Sequence, residues 1–482
     1  MGHIKKLTNK YKDMSPVAKT SIALIIARFF QKGLAMITGP IFTRIMPSSE
    51  YGIIATFTTW QSVLMIIATL NMSSGVFNNG MHEFKKDRNS FVFSILTLAN
   101  TCTAICCVLY LIFKPWLDPI INMPPYLMML MGVYFFTVPA YNYFLGRKRF
   151  EYKYIPILII TIAVSLISSL SAILLVLFAD ESQKAVAKLT GSELTFILFG
   201  IVFYIITVIR GKGKLNFKYW KYALIINLPL VPHYLSMYVL AGSDKIMISN
   251  MIGTSATAIY NVAYTVAAVL LVFWEAIDAS YAPWIYQKMD DEDYPALHKR
   301  AKSILLLFAG FAMFLTLFAP EIIRILGPEE YYEGIYIIPS VVSGVFFTAV
   351  FSLYIRIEVY LKKSVSIMIG SVVAAGINLL LNWIAIPIFG YLAAGYTTLI
   401  CYILLAFFHA LNLKRLGYSK VYNNKVIAAL SFALCAIIIA CLITYQFPIL
   451  RYSLIAALLV VAIIKRKFII TMIKGKKKVK QQ

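Results

Sequence analysis

The sequence predicts an all-α integral membrane protein with 14 transmembrane helices, arranged as two pseudo-symmetric six-helix lobes plus two C-terminal helices. Three observations carry the prediction. Of 482 residues, 60% are hydrophobic and only 14% charged, a balance too apolar for a soluble chain of this length. Fourteen apolar runs are each long enough to supply the roughly 20 residues that a helix needs to cross ~30 Å of hydrocarbon. The basic residues sit in short clusters between those runs, and the clusters favour one side.

Taken in order, the spans start near Ser15, Tyr51, Phe91, Pro125, Tyr154, Ser192, Tyr222, Ala256, Arg300, Gly334, Ser364, Tyr391, Lys425 and Arg451. Every link is short. The longest, Ser74 to Ser90, contains "HEFKKDR" and leaves no room for a soluble domain. With a cytoplasmic N-terminus, the inner segments hold 35 of the 45 Lys and Arg, including Lys5, Lys6, Lys10 and Lys12, "RKRFEYK", "RGKGKLNFKYWK" and the tail "KGKKKVK". The outer loops hold seven, among them Arg44, Lys184 and Lys188, and three basic residues lie inside helices. That bias puts both termini in the cytoplasm and agrees with an even number of spans. It also accounts for the net charge of +24 without nucleic acid as a partner. The basic tail reads either as an anchor to anionic membrane lipid or as a plain orientation signal. The first apolar run lacks a small-residue cleavage site, so no removed signal peptide is expected. Cys102, Cys106, Cys107, Cys401, Cys435 and Cys441 all lie in apolar runs without metal-ligand spacing and read as small core residues.

A repeat organises the spans. "IFTRIMPSSEYG" (Ile41 to Gly52) and "IMISNMIGTSATAIY" (Ile246 to Tyr260) align at an offset of 206 residues, which puts Pro47 on Gly253 and Ser49 on Ser255. The first is the hairpin between spans 1 and 2, the second that between spans 7 and 8. Six spans separate them, so the halves share one topology and are related by an axis along the membrane normal. A second echo places a basic pair before span 5 ("FLGRKRFEYKYIPILII") and before span 11 ("VYLKKSVSIMIGSVV"). The expected organisation is 1–210 for spans 1 to 6, 211–413 for spans 7 to 12, and 414–482 for spans 13 and 14 with the tail.

Duplicated membrane bundles enclose a cavity between their halves and open it to each side in turn, so a transporter is the leading class and no enzyme is expected. The rival is an integral membrane enzyme, which needs an acid, base or metal constellation near a membrane face. The five histidines are scattered instead, and the acidic run "DDED" (Asp290 to Asp293) reads as a solvated cap for span 9. No cofactor is expected.

"IARFFQKGLAMITGPIFTRIMPSSEYGII" resembles the first hairpin of Wzx-type polysaccharide-repeat flippases, in the multidrug/oligosaccharidyl-lipid/polysaccharide exporter superfamily. "NLPLVPHYLSMYVLAGSDKIMISNMIGTSATAIYNVAY" resembles their helix 7 and 8 signature. "GINLLLNWIAIPIFGYLAAGYTTLICY" is similar to their helix 11 and 12 pattern of spaced Asn, then Pro, Gly and small residues. The likeness covers almost the whole chain, with Ala258 standing where the family commonly carries Gly. The resemblance implies a V-shaped pair of six-helix lobes that moves an undecaprenyl-diphosphate-linked oligosaccharide from the inner to the outer leaflet. Such a carrier works alongside a polysaccharide polymerase and glycosyltransferases.

A diphosphate brings at least two negative charges into a low-dielectric space and calls for buried cations and hydrogen-bonding groups. Arg28 and Lys32 lie one turn apart on span 1 and supply two such cations; the alternative is pairing with Glu275 and Asp278, or snorkelling. The repeat offset places Tyr234 and Tyr238 at the matching positions on span 7, to stack on sugar rings or to pack between helices. His233, directly after Pro232 and four residues after Pro229 in the kinked span 7, is a lumen contact or a structural histidine. Arg356 is the third embedded cation. Glu275 and Asp278, one turn apart on span 8, resist simultaneous ionisation and form the expected H+- or Na+-coupling pair, with a salt bridge to Arg28 or Lys32 as the rival reading. Asp244, beside Lys245, is the next coupling candidate. Glu358 is expected to pair with Lys362 four residues on. A flippase for the peptidoglycan precursor or a teichoic-acid unit, and a multidrug extruder, are the alternatives within the superfamily.

Overall fold

In hydrocarbon a backbone N–H or C=O finds no water, so each apolar run must satisfy its own hydrogen bonds as a helix. The computed structural model describes residues 16–73 and 75–464. Its helices run α1 (Pro16–Ile45), α2 (Ser48–Thr69), α3 (Gly75–Glu83), α4 (Arg88–Ile112), α5 (Lys114–Ile121), α6 (Pro125–Phe150), α7 (Tyr154–Phe178), α8 (Lys184–Gly211), α9 (Phe217–Asn227) and α10 (Val231–Met251). They continue with α11 (Thr254–Asp290), α12 (Tyr294–Leu317), α13 (Ala319–Leu326), α14 (Ile338–Tyr360), α15 (Ser364–Phe389), α16 (Leu392–Arg415), α17 (Asn424–Thr444) and α18 (Pro448–Ile464).

Among the described residues, 13 helical segments are long and apolar enough to cross a membrane. The chain is therefore a multi-pass membrane protein. The fourteenth run, α18, has 17 described residues, which fall short of a full span. The "KGKKKV" tail and Lys5, Lys6, Lys10 and Lys12 lie outside the described residues.

The seventh span is broken where its prolines predict. Pro229 sits in a single 3₁₀ turn, Leu228–Leu230, between α9 and α10, and Pro232 opens α10. Neither proline can donate a backbone hydrogen bond, and the two losses fall in one turn. The next span overshoots: α11 has 37 residues, about 55 Å at 1.5 Å per residue, so its last turns extend past the hydrocarbon. Beyond it, Asp293 caps α12 by accepting from the Ala296 N–H at 3.2 Å. Lys288 Nζ lies 3.0 Å from both Asp291 and Asp293, and its hydrogen bond holds the Asp293 carboxyl below the usual range. The acidic run is a helix cap, as expected.

Local geometry repeats as the sequence does. α1 ends and α2 begins 206 residues before α10 ends and α11 begins. The first link turns on Pro47, whereas the second turns on Gly253 at φ 137°, a conformation in which a Cβ would be strained. The basic echo is closer still. After α6, Tyr152 adopts φ 55°, and 210 residues later Lys362 adopts φ 58° after α14. The same reach-back hydrogen bond closes each end, Lys153 N to Lys148 O at 2.9 Å and Lys363 N to Glu358 O at 2.8 Å. Each half also carries a short helix, α5 or α13, directly after its third span.

The chain divides into two compact units, through Tyr238 and from Val239. The boundary falls later than the expected residue 210, because α9 packs on α3 and α4 through Tyr219 and Tyr222, which meet Phe84 and Phe91. Helices α17 and α18 do not form a separate appendix. They pack on α12, where Cys441 and Ile455 close over Leu317.

Candidate functional site

The second unit holds a buried network of oxygen and amide groups with Asp244 at its centre. Asp244, on α10, is 1% exposed. Its Oδ2 accepts a short hydrogen bond from the Tyr260 hydroxyl of α11 and another from Thr398 Oγ1 of α16 at 3.2 Å. Its Oδ1 is buried with no hydrogen-bond partner. Asn378 Nδ2 on α15 donates to Thr398 at 3.0 Å, Ser243 donates to Asn378 Oδ1 at 3.2 Å, and Asn382 Nδ2 reaches the same oxygen at 3.3 Å. Thr397 donates to Asn382 Oδ1. Four helices thus converge with one carboxylate, two amides and several hydroxyls.

Lys245 does not neutralise this carboxylate by contact. Successive helical residues point about 100° apart, and Lys245 Nζ lies over the Tyr264 ring, 5.0 Å from its centre. A buried carboxylate with an unused oxygen, ringed by hard oxygen donors, suits a proton or a small hard cation. Sequence reading took Asn378 and Asn382 only as part of a family pattern. The signal was available: two amides one turn apart in an apolar span must hydrogen-bond across helices.

The expected coupling pair separates. Asp278 on α11 is held by the guanidinium of Arg356 on α14, with Arg356 Nε donating at 3.0 Å and a second, shorter bond from the same group. This bidentate geometry binds two of the predicted site residues to each other. Glu275, one turn earlier, is exposed.

In the first unit, Arg28 and Lys32 are exposed on α1, while Ala23 and Ala27 of the same helix are buried. Arg149, at the end of α6, is close enough to Arg28 for the two charges to interact, so positive charge is concentrated there. His233 and Tyr234 are half-buried at the start of α10 with ring centres 6.0 Å apart, and Tyr238 is exposed.

Of two further buried carboxylates, sequence reading missed Glu193 and assigned Glu358 the wrong partner. Glu193, on α8, accepts from Gln61 Nε2 of α2 at 2.9 Å; the apolar run was expected to begin at Ser192, but the helix starts at Lys184, which places Glu193 inside it. Glu358 does not pair with Lys362. Its side chain is fully buried between α14, α15 and α16, where it meets His409 and Asn412, because Lys362 lies past the helix end with positive φ.

Long apolar helices in two units, each with buried polar groups at mid-helix, define a membrane transporter fold. Residues 17–289 match the family model described as polysaccharide biosynthesis protein, and the chain belongs to that family. Among solved structures it is similar to "Lipid II flippase MurJ, inward closed conformation", at 15% identity and a TM-score of 0.67, over 92% of this chain and 99% of that one. It is also similar to an inward-facing multidrug resistance MATE family transporter of the MOP superfamily, at 14% identity and a TM-score of 0.58, over 83% and 98%. An outward-facing MATE family transporter aligns at 15% identity with a TM-score of 0.51, over 86% and 98%. These likenesses are of fold. No curated protein sequence matches the chain.

Proposed function

We propose that this protein is a flippase, not an enzyme, and moves undecaprenyl-diphosphate-linked oligosaccharide repeat units across the cytoplasmic membrane by alternating access. The observation that carries the reading is the exposed cationic pair Arg28 and Lys32 within a membrane span of a polysaccharide biosynthesis family member. Each such charge costs about 2.5–3.5 kcal/mol against lipid, a cost that a diphosphate ligand in a wet lumen removes. His233, Tyr234 and Tyr238 line the same substrate path and offer ring faces to sugars. The bias of the loop charges supports an orientation with both termini on the cytoplasmic side.

Transport is coupled to a proton or sodium gradient through Asp244, whose unused carboxylate oxygen supports that role better than the exposed Glu275 or the guanidinium-bound Asp278. Arg356 acts through Asp278 and not as a free substrate contact. The polymerase and glycosyltransferases that make and consume the repeat unit are the functional partners.

Depletion in the producing cell tests the reading. Lipid-linked repeat units should accumulate on the inner leaflet while surface polysaccharide disappears. Accumulation of the peptidoglycan precursor or of a teichoic-acid unit instead would reassign the substrate, and hypersensitivity to cationic drugs with normal polysaccharide would favour an extruder.

A further inference from the structure

Glu358 and His409 are 0% exposed and face each other across α14 and α16, with His409 Nδ1 2.9 Å from Glu358 Oε1. Asn412 Nδ2 donates to the same carboxylate oxygen at 2.9 Å, and Ser366 Oγ of α15 reaches Oε2 at 3.4 Å. The other imidazole nitrogen, His409 Nε2, is buried with no hydrogen-bond partner. Gly370 of α15 packs on the ring, where an added Cβ would stand 3.4 Å from His409 Cε1 and 2.8 Å from Phe408. A carboxyl and an imidazole have thus been brought together, out of water, by residues 51 positions apart.

Among the described residues, no Lys or Arg forms an ion pair with Glu358. Arg356, two residues before Glu358, points to the far side of α14 and is taken by Asp278 of α11. On α12, His298 Nε2 meets the carbonyl of Lys420, and among the described residues the ion pair of Glu358 is with His409, not with Arg300 or Lys302. The same holds for Lys425 of α17, for Lys362 and Lys363 after α14, and for Lys414 and Arg415 at the end of α16. The polar partners of Glu358 and His409 among the described residues are each other, Asn412 and Ser366. An ionised carboxylate beside a neutral imidazole would leave a net charge buried here without compensation. One added proton, shared along the Oε1–Nδ1 bond, makes the pair neutral.

We propose that Glu358 and His409 form a proton-binding site, distinct from the Asp244 network, whose loading with one proton is coupled to transport. The ligand is H⁺ itself, taken from water and returned to it. Ser366, partly exposed in the first turn of α15, links the carboxyl to solvent. Thr398 and His409 lie 11 residues apart on α16, about three turns and on one face. The same helix therefore answers to Asp244 at one level and to Glu358 at another, which gives the second unit two cation-responsive contacts on one rod.

The proposal rests on the transporter reading, and its test separates the two. Purified full-length protein is reconstituted in vesicles with a fluorescent polyprenyl-diphosphate-linked sugar, and two rates are recorded: exchange without any gradient, and movement driven by an imposed pH difference. Glu358→Gln keeps the shape and an acceptor for Asn412 but carries no exchangeable charge; His409→Gln is the second variant. Both should exchange at the wild-type rate while pH-driven movement falls by roughly tenfold or more, the scale of a typical coupling between sites. Unchanged pH-driven movement in both variants would overturn the proposal, as would a parallel loss of exchange and driven movement, which would mark the pair as structural. Absence of exchange in the wild type would count against the transporter reading instead.

Discussion

Replacing Asp244 by Asn removes one charge from the polar network and leaves its shape intact. The amide oxygen still accepts from Tyr260 and Thr398, but the position of the unpartnered Oδ1 becomes an NH₂ group that cannot bind a cation. A cation that binds only the folded unit stabilises it by about 2.7 kcal/mol at a hundred times its Kd. For a unit the size of Val239–Gln482, each kcal/mol moves the melting temperature by about 2–4 °C, so saturation should raise it by roughly 5–11 °C. The assay is thermal unfolding of the detergent-solubilised protein, first with sodium exchanged for choline at constant ionic strength, then with pH lowered in choline alone. One of the two series should stabilise the wild type on this scale and leave Asp244→Asn unmoved. Equal shifts in both proteins, or none in either, would refute the assignment of the ion to Asp244.

Other consequences are as direct. A cysteine at Ser48 or Thr254, each the first residue of the helix after a matched hairpin, should react with an impermeant reagent from outside in a background lacking the native cysteines; reaction only after permeabilisation would invert the topology. Gly191→Val should destabilise the α7–α8 contact by about 1–3 kcal/mol, seen as a lower melting temperature, because a Cβ at Gly191 would fall 2.7 Å from the backbone nitrogen of Ala172. Asp278→Asn should lower the melting temperature below that of the wild type, since it leaves a half-buried guanidinium without its carboxylate. An unchanged melting temperature would show that the ion pair is not structural.

Span positions and hairpins were legible because apolar length and turn chemistry are local. Pro47 and Gly253 punctuate the chain differently yet stop and restart helices at the same offset, and the Pro229 and Pro232 pair announces its own break. The site was less legible because its members are brought together by helix packing. Asp244 was read only as a further coupling candidate beside Lys245, and the four-residue spacing suggested Glu358 with Lys362; in both cases the partners come from helices more than a dozen residues away. Arg356 and Asp278 were each recognised as embedded charges, but their mutual pairing depends on how α11 lies against α14. Asn378 and Asn382 were recognised as a pattern, and only the fold shows that they face Thr397 and Thr398.

The most direct test of the central claim is leaflet-to-leaflet movement in vesicles containing only this protein, with a fluorescent undecaprenyl-diphosphate-linked oligosaccharide as the probe and a cationic drug as the comparison. The wild type should move the diphosphate-linked sugar and not the drug. The double variant Arg28→Gln, Lys32→Gln, present at the same level, should move it roughly tenfold more slowly or worse, as expected when charge-assisted contacts worth about 1.5–3 kcal/mol are lost. Movement of the drug in preference to the lipid-linked sugar, or an undiminished rate in the double variant, would contradict the account.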